Sequence, residues 1–404
     1  MPTERLFYSD PYLTEFDARV ERVEDVGGRS VAILDRTAFY PTSGGQPFDI
    51  GTLGDSRVVE VVDREDGAIG HVVDRSVPDG AHVHGVIDWQ RRFDHMQQHT
   101  GQHLLSAAFD RLLGVRTVSF HLGSDSSTID LNRDVSAAEI AKAEADANRI
   151  VWEDRSVTIR FIDAAEASTI GLRKESARTG SLRIIDVADY DRSACGGTHV
   201  ARTGAVGIIA VQSWERFKGG TRVAFVCGGR ALKAFGALRD SVVESVRRLS
   251  VLPAGLPAAI ERIQTESKDL KKLINAQEER LAGYEAAELA ARAIEVGSAK
   301  LVAEIQALDA VALKNLATAI AGRPSHIVIL VSSSGPGLIV VARSKDIELD
   351  ARDVLRQLID RFGGKGGGTP EMAQGGGFNA APEEMLSAAL TAVTSGKGQV
   401  TSDE

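Results

Sequence analysis

Cysteine is scarce in this sequence, with only Cys195 and Cys227 in a chain of 404 residues. Two cysteines cannot form the framework of several disulfide bonds that stabilises small secreted proteins. Aromatic residues make up only 5% of the chain, which disfavours a surface that binds single-stranded nucleic acid mainly by stacking. The remaining composition, 43% hydrophobic and 25% charged, is typical of a globular protein that can bury a core.

Long hydrophobic runs and an excess of basic residues are also absent. No apolar run approaches the roughly 18 residues that a membrane-spanning helix needs. The first twenty residues carry charges where a signal peptide would have its apolar stretch. These features predict a soluble, cytoplasmic protein without a membrane partner. The net charge of −9 argues against sequence-blind coating of nucleic acid, although a local basic groove stays possible.

The hydrophobic pattern changes along the chain and predicts an α+β protein of several domains. Residues 1–88 alternate apolar and polar side chains between glycine-rich turns, which is typical of a small β-barrel. Residues 89–239 mix helical and strand-like periods, and residues 298–404 read as an α/β domain. The intervening segment 240–297 is predicted to be a long helix or a helical hairpin that acts as a spacer.

The spacer segment carries a heptad-like seam between Leu256 and Tyr284, with apolar residues spaced alternately four and three apart. Two of the nine seam positions, Ser267 and Gln277, are polar. A helical hairpin and a dimeric coiled coil are therefore both open, and the second would make the protein a homodimer through its C-terminal half.

Two pairs of metal-binding side chains are the strongest local signal. His99 and His103 are four residues apart on a predicted helix, so both imidazoles lie on one face. Cys195 and His199 are separated by Gly-Gly-Thr, which allows the backbone to turn both side chains toward one point. Together they form a nitrogen and sulfur donor set suited to one Zn²⁺ per chain.

Other assignments of these residues are weaker. His95 and His121 could compete as ligands, but neither has a paired partner. A metalloprotease would have a glutamate directly after the first histidine of the pair, and this sequence has Thr100 there. Cys227 has no such neighbours and is predicted to pack in the core.

Two glycine-rich segments interrupt the regular patterns. Residues 40–47 read YPTSGGQP, and the amides of Gly44 and Gly45 could face an oxyanion or a phosphate, or serve only a tight turn. Residues 363–377 read GGKGGGTPEMAQGGG, which lacks the Gly-Lys-Ser/Thr end of a P-loop.

Four segments resemble one family. Residues 91–105, RRFDHMQQHTGQHLL, and 193–200, SACGGTHV, resemble the signature of the alanyl-tRNA synthetase editing domain. Residues 40–47 are similar to the glycine-rich loop of that family's N-terminal barrel. Residues 363–377 resemble the C-terminal domain shared by alanyl-tRNA synthetases and DHH-type phosphoesterases. The segments occur in family order, and no room precedes the barrel for an aminoacylation domain, so the chain resembles the long class of freestanding alanyl-tRNA editing factors.

This resemblance implies a function and further site residues. It implies a zinc-containing editing domain at 89–239 that hydrolyses mischarged Ser-tRNA(Ala), and also Gly-tRNA(Ala), without aminoacylation activity. Substrate contacts are expected from Thr42, Gly44, Gly45 and Gln46, with Thr42 reading the serine hydroxyl. Phosphate or other tRNA contacts are expected from these residues: Arg178, Lys218, Arg222, Arg361, Lys365 and Gln374. The alternative is a non-catalytic tRNA-binding module in which the zinc is structural.

Overall fold

The computed structural model describes residues 2–173, 181–335 and 337–395 of the chain. It is a mixed α/β protein that divides into two compact units, Met1–Ser245 and Val246–Glu404. The division of the chain into four parts at 88, 239 and 297 stays a prediction. No described helix is both long and apolar enough to cross a membrane.

The N-terminal region is the predicted barrel. Its strands are β1 (Glu4–Arg5), β2 (Glu15–Val26), β3 (Arg29–Leu34), β4 (Arg36–Thr37), β5 (Gly51–Leu53), β6 (Ser56–Asp63), β7 (Ile69–Val73) and β8 (His82–Ile87). Six of them close in the order β2-β3-β7-β6-β5-β8, and β1 pairs in parallel with β4 outside the barrel. In β2, buried Phe16, Ala18 and Val20 alternate with exposed residues, which is the pattern of a strand with one face on a core.

The rest of the first unit surrounds a long central helix. Its elements are α1 (Trp89–Leu113), β9 (Thr117–Leu122), β10 (Ser127–Leu131), α2 (Ala137–Trp152), β11 (Val157–Ile162), α3 (Ala164–Thr169), β12 (Leu182–Val187), β13 (Asp191–Ala194), β14 (Ile209–Phe217), β15 (Gly220–Cys227) and α4 (Gly228–Leu249). Strands β14-β15-β10-β9 form one antiparallel sheet and β11-β12-β13 another. Apolar residues of α1, α2 and the four-stranded sheet share one core.

The second unit is a six-stranded sheet with helices on both faces. Its elements are α5 (Leu256–Ala291), β16 (Ile294–Val296), β17 (Ala299–Gln306), α6 (Ala310–Ala321), β18 (His326–Ser332), β19 (Leu338–Arg343), α7 (Ala351–Phe362), β20 (Lys365–Gly368), β21 (Met372–Gly376) and α8 (Pro382–Ser395). The strand order is β16-β17-β18-β19-β21-β20, with only β17 and β18 parallel among the described pairs. Helices α7 and α8 pack on one face, and α6 with the end of α5 packs on the other.

The predicted seam lies on a single continuous helix, α5. Whether the segment 240–297 acts as a long helix or as part of a helical hairpin stays a prediction. Most of the seam side chains, including Ile260, Ile263, Leu270 and Leu281, are exposed. A homodimer through this surface stays a prediction. The glycine-rich segment after α7 was not predicted to form strands, but it folds into the hairpin β20–β21.

Candidate metal centre and adjoining cavity

Helix α1 places the histidine pair in the interior of the first unit. It begins after Asp88, whose side chain accepts a hydrogen bond from the amide of Arg91, and ends at Gly114 in the left-handed conformation. Since His99 and His103 are one helical turn apart, their rings lie side by side, with centroids 5.4 Å apart. Both are at most 4% exposed.

The loop that follows β13 brings Cys195 and His199 to the same point. The Sγ atom of Cys195 lies 3.4 Å from Nε2 of both His99 and His199. One ligand atom from each of the four predicted residues, His99, His103, Cys195 and His199, lies within 4.8 Å of the others. This cluster could therefore hold a metal ion, and three imidazole nitrogens with one sulfur are donors that suit tetrahedral zinc.

Each imidazole of the cluster has an outer hydrogen-bond partner at Nδ1. His99 donates to Gln46 Oε1 at 2.8 Å, and His103 donates to Asp191 Oδ2 at 3.1 Å. Nδ1 of His199 lies 3.1 Å from Thr100 Oγ1. Because these contacts occupy Nδ1, they leave Nε2 of each ring for a metal, which is the usual arrangement around protein-bound zinc.

The close packing of the cluster shifts the ionisation of its members. Burial alone would raise the pKa of Cys195, but the neighbouring imidazoles of His99 and His199 hold it well below its usual value. Burial lowers the pKa of His199 to about 3. Burial also opposes protonation of His103, yet the hydrogen bonds that Asp191 and Cys195 accept from it outweigh burial and raise that pKa to about 9. A negatively charged thiolate surrounded by imidazole nitrogens favours the binding of a metal cation.

Close packing around the ligands requires glycine at two positions. A Cβ at Gly197 would overlap the ring of His99, so the chain reaches the cluster only without a side chain there. A Cβ at Gly101 would overlap Sγ of Cys227, which confirms that Cys227 packs in the core against α1. Burial raises the pKa of the Cys227 thiol, so this cysteine stays a neutral core residue.

Arg183 anchors the loop that carries Cys195. Its side chain is 8% exposed and donates through Nη1 to the carbonyl oxygens of Cys195 at 2.7 Å and Gly197 at 2.9 Å. Its Nε donates to the carbonyl oxygen of Tyr8 at 2.9 Å. One guanidinium therefore ties the metal-binding loop to the N-terminal segment before the barrel.

A cavity of about 490 Å³ adjoins the cluster. Its wall includes His103, Cys195, Gly44 and Ser43. Gly44 and Gly45 both have positive φ, and in the described part of the chain their amides donate to no protein acceptor. The cavity is thus lined both by metal-binding side chains and by Gly44 of the first glycine-rich loop.

Two predicted substrate residues differ in their surroundings. Gln46 is fully buried, and its amide is occupied by His99 and by Thr198, to whose Oγ1 it donates at 2.8 Å. The expected contact of Gln46 with a substrate stays a prediction. Thr42 is exposed and does not line the cavity, whereas the adjacent Ser43 does. The role of Thr42 stays a prediction.

The predicted tRNA contacts divide into free and engaged side chains. Arg222 forms a two-pronged ion pair with Asp130, at 2.6 and 2.8 Å, and is thus not free. Lys218 lies in the exposed turn between β14 and β15. In the second unit, Lys365 and Gln374 are exposed on the β20–β21 hairpin, and Arg361 is on α7. Arg178 lies outside the described residues.

Sequence reasoning did not identify the residues that orient the ligands. Thr100 and Thr198 stand inside the two ligand segments, so their place in those segments was a usable signal. Asp191 and Arg183 had none, because each is brought to the cluster by strand pairing of β12 with β13. The competing histidines are not in the cluster: His121 is exposed on β9, and His95 lies outside it on α1.

Comparisons with known proteins identify families and structures that match parts of this chain. Three family models match: tRNA synthetases class II (A) at 10–91, the threonyl and alanyl tRNA synthetase second additional domain at 182–223, and the DHHA1 domain at 297–395. The second of these includes Cys195 and His199. A solved C-Ala domain of Aquifex aeolicus alanyl-tRNA synthetase matches 25% of this chain and 97% of its own, with 26% identity and a TM-score of 0.24.

Two curated relatives differ in how much of their length is matched. The alanine–tRNA ligase of Pyrococcus abyssi is 35% identical over 92% of this chain, but the chain spans only 42% of that ligase. The alanyl-tRNA editing protein AlaX-L of Pyrococcus horikoshii is 32% identical over 96% of this chain and 97% of its own length. Because the likeness to AlaX-L extends over both chains almost entirely, this protein belongs to the alanyl-tRNA editing protein family.

Proposed function

We propose that this protein is a hydrolase that cleaves the aminoacyl ester of mischarged Ser-tRNA(Ala) and Gly-tRNA(Ala), with one zinc ion per chain. The observation that carries the proposal is the convergence of His99, His103, Cys195 and His199 beside a cavity that is also lined by Gly44, whose amide has no acceptor among the described residues. Membership of the editing family supports the choice of substrate.

The metal would serve chemistry that the side chains cannot supply. If one of the four donors gave way to the substrate or to water, a zinc ion held by the others would act as a Lewis acid at the ester or lower the pKa of a water molecule. The chain itself positions the reactants. Gln46, Asp191 and Thr100 fix the ring orientations, and Arg183 fixes the loop that carries Cys195.

The glycine loop has the geometry to stabilise negative charge. Gly44 borders the cavity, and neither its amide nor that of Gly45 has an acceptor among the described residues. Hydrolysis of an ester develops an oxyanion, and preorganised amide donors stabilise such charge. An aminoacyl ester is already activated, so positioning and charge stabilisation are the main demands on the enzyme.

The direct test is a deacylation assay with purified protein. We expect hydrolysis of Ser-tRNA(Ala) and Gly-tRNA(Ala), and little hydrolysis of Ala-tRNA(Ala). Removal of zinc with a chelator should abolish the activity, and its return should restore it. Binding of tRNA without any hydrolysis would instead support the second candidate, a tRNA-binding module. That candidate is favoured by the four protein donors, since they fill a tetrahedral metal and leave no open position.

Selectivity against alanine requires a group that recognises the serine hydroxyl, because alanine is smaller than serine and size cannot exclude it. Thr42 is the residue proposed from the sequence, and Ser43 is its matched alternative because it lines the cavity. We expect Thr42→Val to slow hydrolysis of Ser-tRNA(Ala) by about 1–3 kcal/mol in the barrier, with little change for Gly-tRNA(Ala). If Ser43→Ala has this effect and Thr42→Val does not, Ser43 reads the hydroxyl.

We propose that the second unit binds the tRNA. Lys365 and Gln374 are exposed on a hairpin of glycines, which allows close approach of a phosphate backbone. The predicted homodimer through the exposed seam of α5 would bring two such units together.

A further inference from the structure

We propose that a second pocket of the first unit is a nucleotide subsite, which binds one base and one phosphate of an RNA strand. The inference rests on the proposed function, in which the substrate is a tRNA. This pocket has a volume of about 900 Å³ and lies beside the start of α1. It shares no lining residue with the cavity at the metal cluster.

An exposed indole forms one wall of the pocket. Trp89, the first residue of α1, is 37% exposed. Its ring is held on two sides, with centroids 5.3 Å from Phe93 and 5.4 Å from Tyr12. An exposed aromatic ring in a fixed position is a surface on which a nucleobase of any sequence can stack.

The charged residues of the pocket leave positive charge uncompensated. Asp94 is neutralised by Arg230, at 2.6 Å, and Asp88 caps α1. Arg91 and Lys233 have no carboxylate within ion-pair distance in the described part of the chain. Arg91 is engaged through Nε with the carbonyl oxygen of Phe48 at 2.9 Å, so Lys233 is the cation of this lining that remains for the phosphate of a base stacked on the aromatic wall.

A buried polar atom in the pocket lacks a partner. His95 is 3% exposed, and its Nδ1 has no hydrogen-bond partner among the described residues. Buried polar groups are nearly always paired. An unpaired ring nitrogen in the wall of a pocket therefore indicates that its hydrogen-bond partner is a bound molecule. Small adjustments of the base of the pocket would let a ligand or its water supply the missing contact.

The pocket lies directly beyond the wall of the metal-site cavity. Pro47 in the pocket follows the Gly44–Gly45 turn, and Ser124 follows β9, whose Phe120 lines the cavity. The two segments are joined where Leu122 donates to the carbonyl oxygen of Gly45 at 3.2 Å. An RNA strand whose terminal ester lies in the cavity can therefore cross this contact and place an earlier nucleotide in the pocket.

Steady-state hydrolysis separates binding in this pocket from chemistry at the metal. The substrates are Ser-tRNA(Ala) and the serine ester of adenosine, which lacks all preceding nucleotides. We expect Trp89→Ala and Lys233→Ala each to raise KM for the tRNA about five- to tenfold, equivalent to about 1–1.4 kcal/mol, with kcat unchanged. Neither variant should affect the adenosine ester. Trp89→Phe should retain most of the affinity, and Lys142→Ala, an exposed lysine on α2, is the matched control.

A binding measurement keeps the test independent of the enzymatic activity. The chain has three tryptophans, so replacing Trp152 and Trp214 with phenylalanine leaves Trp89 as the fluorescent probe. We expect quenching by a single-stranded trinucleotide and none by inorganic phosphate. If the unmodified protein did not hydrolyse Ser-tRNA(Ala), the proposed function would be wrong. The fluorescence titration would still show whether the pocket binds an RNA strand.

Three results would overturn the inference. These are an unchanged KM in both variants, equal effects of Lys142→Ala and Lys233→Ala, and no quenching of Trp89 by the strand. If adenosine monophosphate binds as tightly as the trinucleotide, the pocket is a site for a free nucleotide and not a subsite for RNA. Should Trp89→Ala fail to fold, Lys233→Ala decides the question, because Lys233 is exposed on α4.

Discussion

The two compact units bury different kinds of side chain. The first buries ionisable groups in its interior, among them Arg92 with Asp49 and the metal-binding histidines. In the described part of the second unit, the buried polar residues are only His326, Ser332 and Ser344. Burial of a charge is costly unless the charge is paired or coordinated, so the first unit depends on the completeness of its polar contacts.

The pair formed by Arg92 and Asp49 illustrates this dependence. Both residues are fully buried, and Arg92 also donates to the carbonyl oxygens of Pro11 and Ala38. It thus joins α1 to the segments around the barrel. In the second unit, by contrast, the apolar residues of β18, from Ile327 to Val331, are buried between two helical layers, and apolar packing alone explains their positions. We therefore expect the chemistry of this protein to reside in the first unit, and four predictions sharpen this comparison.

The largest effect is expected from Cys195→Ala. This change removes the only thiolate donor of the cluster, so zinc content should fall from one ion per chain to almost none. Hydrolysis should fall by at least about a hundredfold, beyond the range seen for residues that only orient ligands. Metal analysis of the purified protein measures the content. Cys227→Ala is the control and should retain zinc, and full zinc occupancy in Cys195→Ala would contradict the four-ligand arrangement.

A matched pair of glycine variants tests the packing of the loop. Gly197→Ala would push a methyl group into the ring of His99, so we expect zinc affinity to fall by about a hundredfold. At Gly196 the nearest atom to an added Cβ is Tyr8 Oη, at 3.5 Å, which is ordinary contact. Gly196→Ala should therefore bind zinc normally in a competition titration with a chelator. Equal affinities in the two variants would show that the loop can move away from His99.

The outer partner of His103 should matter less than a ligand. Asp191→Asn keeps the shape but removes the charge that orients His103, and we expect about a tenfold loss of zinc affinity. Asp186→Asn is the control, because Asp186 pairs with Arg192 at 3.1 Å on the same sheet and does not contact the cluster. The same chelator competition measures both. No difference between them would argue against a role for the His103–Asp191 contact.

The smallest expected effect concerns pH. Burial lowers the pKa of His71 to about 4, from an unfolded value of 6.5. Because the unfolded chain then binds a proton more readily than the folded barrel, stability is full above pH 6.5 and falls as pH decreases toward 4. With zinc present, we expect a loss of about 1 kcal/mol between pH 6.5 and about 5.5, measured by hydrogen exchange of the barrel amides. His71→Gln should flatten this dependence, and an unchanged slope would assign it to other groups.

Local structure was largely predictable from sequence. Ser136 with Glu139 has the sequence of a capping box, and Asp309 and Asp350 stand directly before helical segments; the structure has the capping box and both N-caps. The run HIVILVS at 326–332, apolar except at its ends, forms strand β18 over those residues. These features depend on neighbouring residues alone. The strands of the β20–β21 hairpin were not predicted, since glycine has low strand propensity and only pairing with β19 orders them.

The sequence by itself determined which side chains could bind a metal, because the spacing of His99 from His103 and of Cys195 from His199 fixes each pair locally. Only the tertiary structure decided that the two pairs converge and that Asp191 and Gln46 orient the rings. It also placed Gln46 against His99, behind the metal ligands, whereas the expected contact of Gln46 with the substrate stays a prediction. The physical reason is distance along the chain, because Gln46 and Thr198 are 152 residues apart. Their contact forms only when the barrel loop packs against the segment that follows β13, and no local sequence pattern encodes that packing.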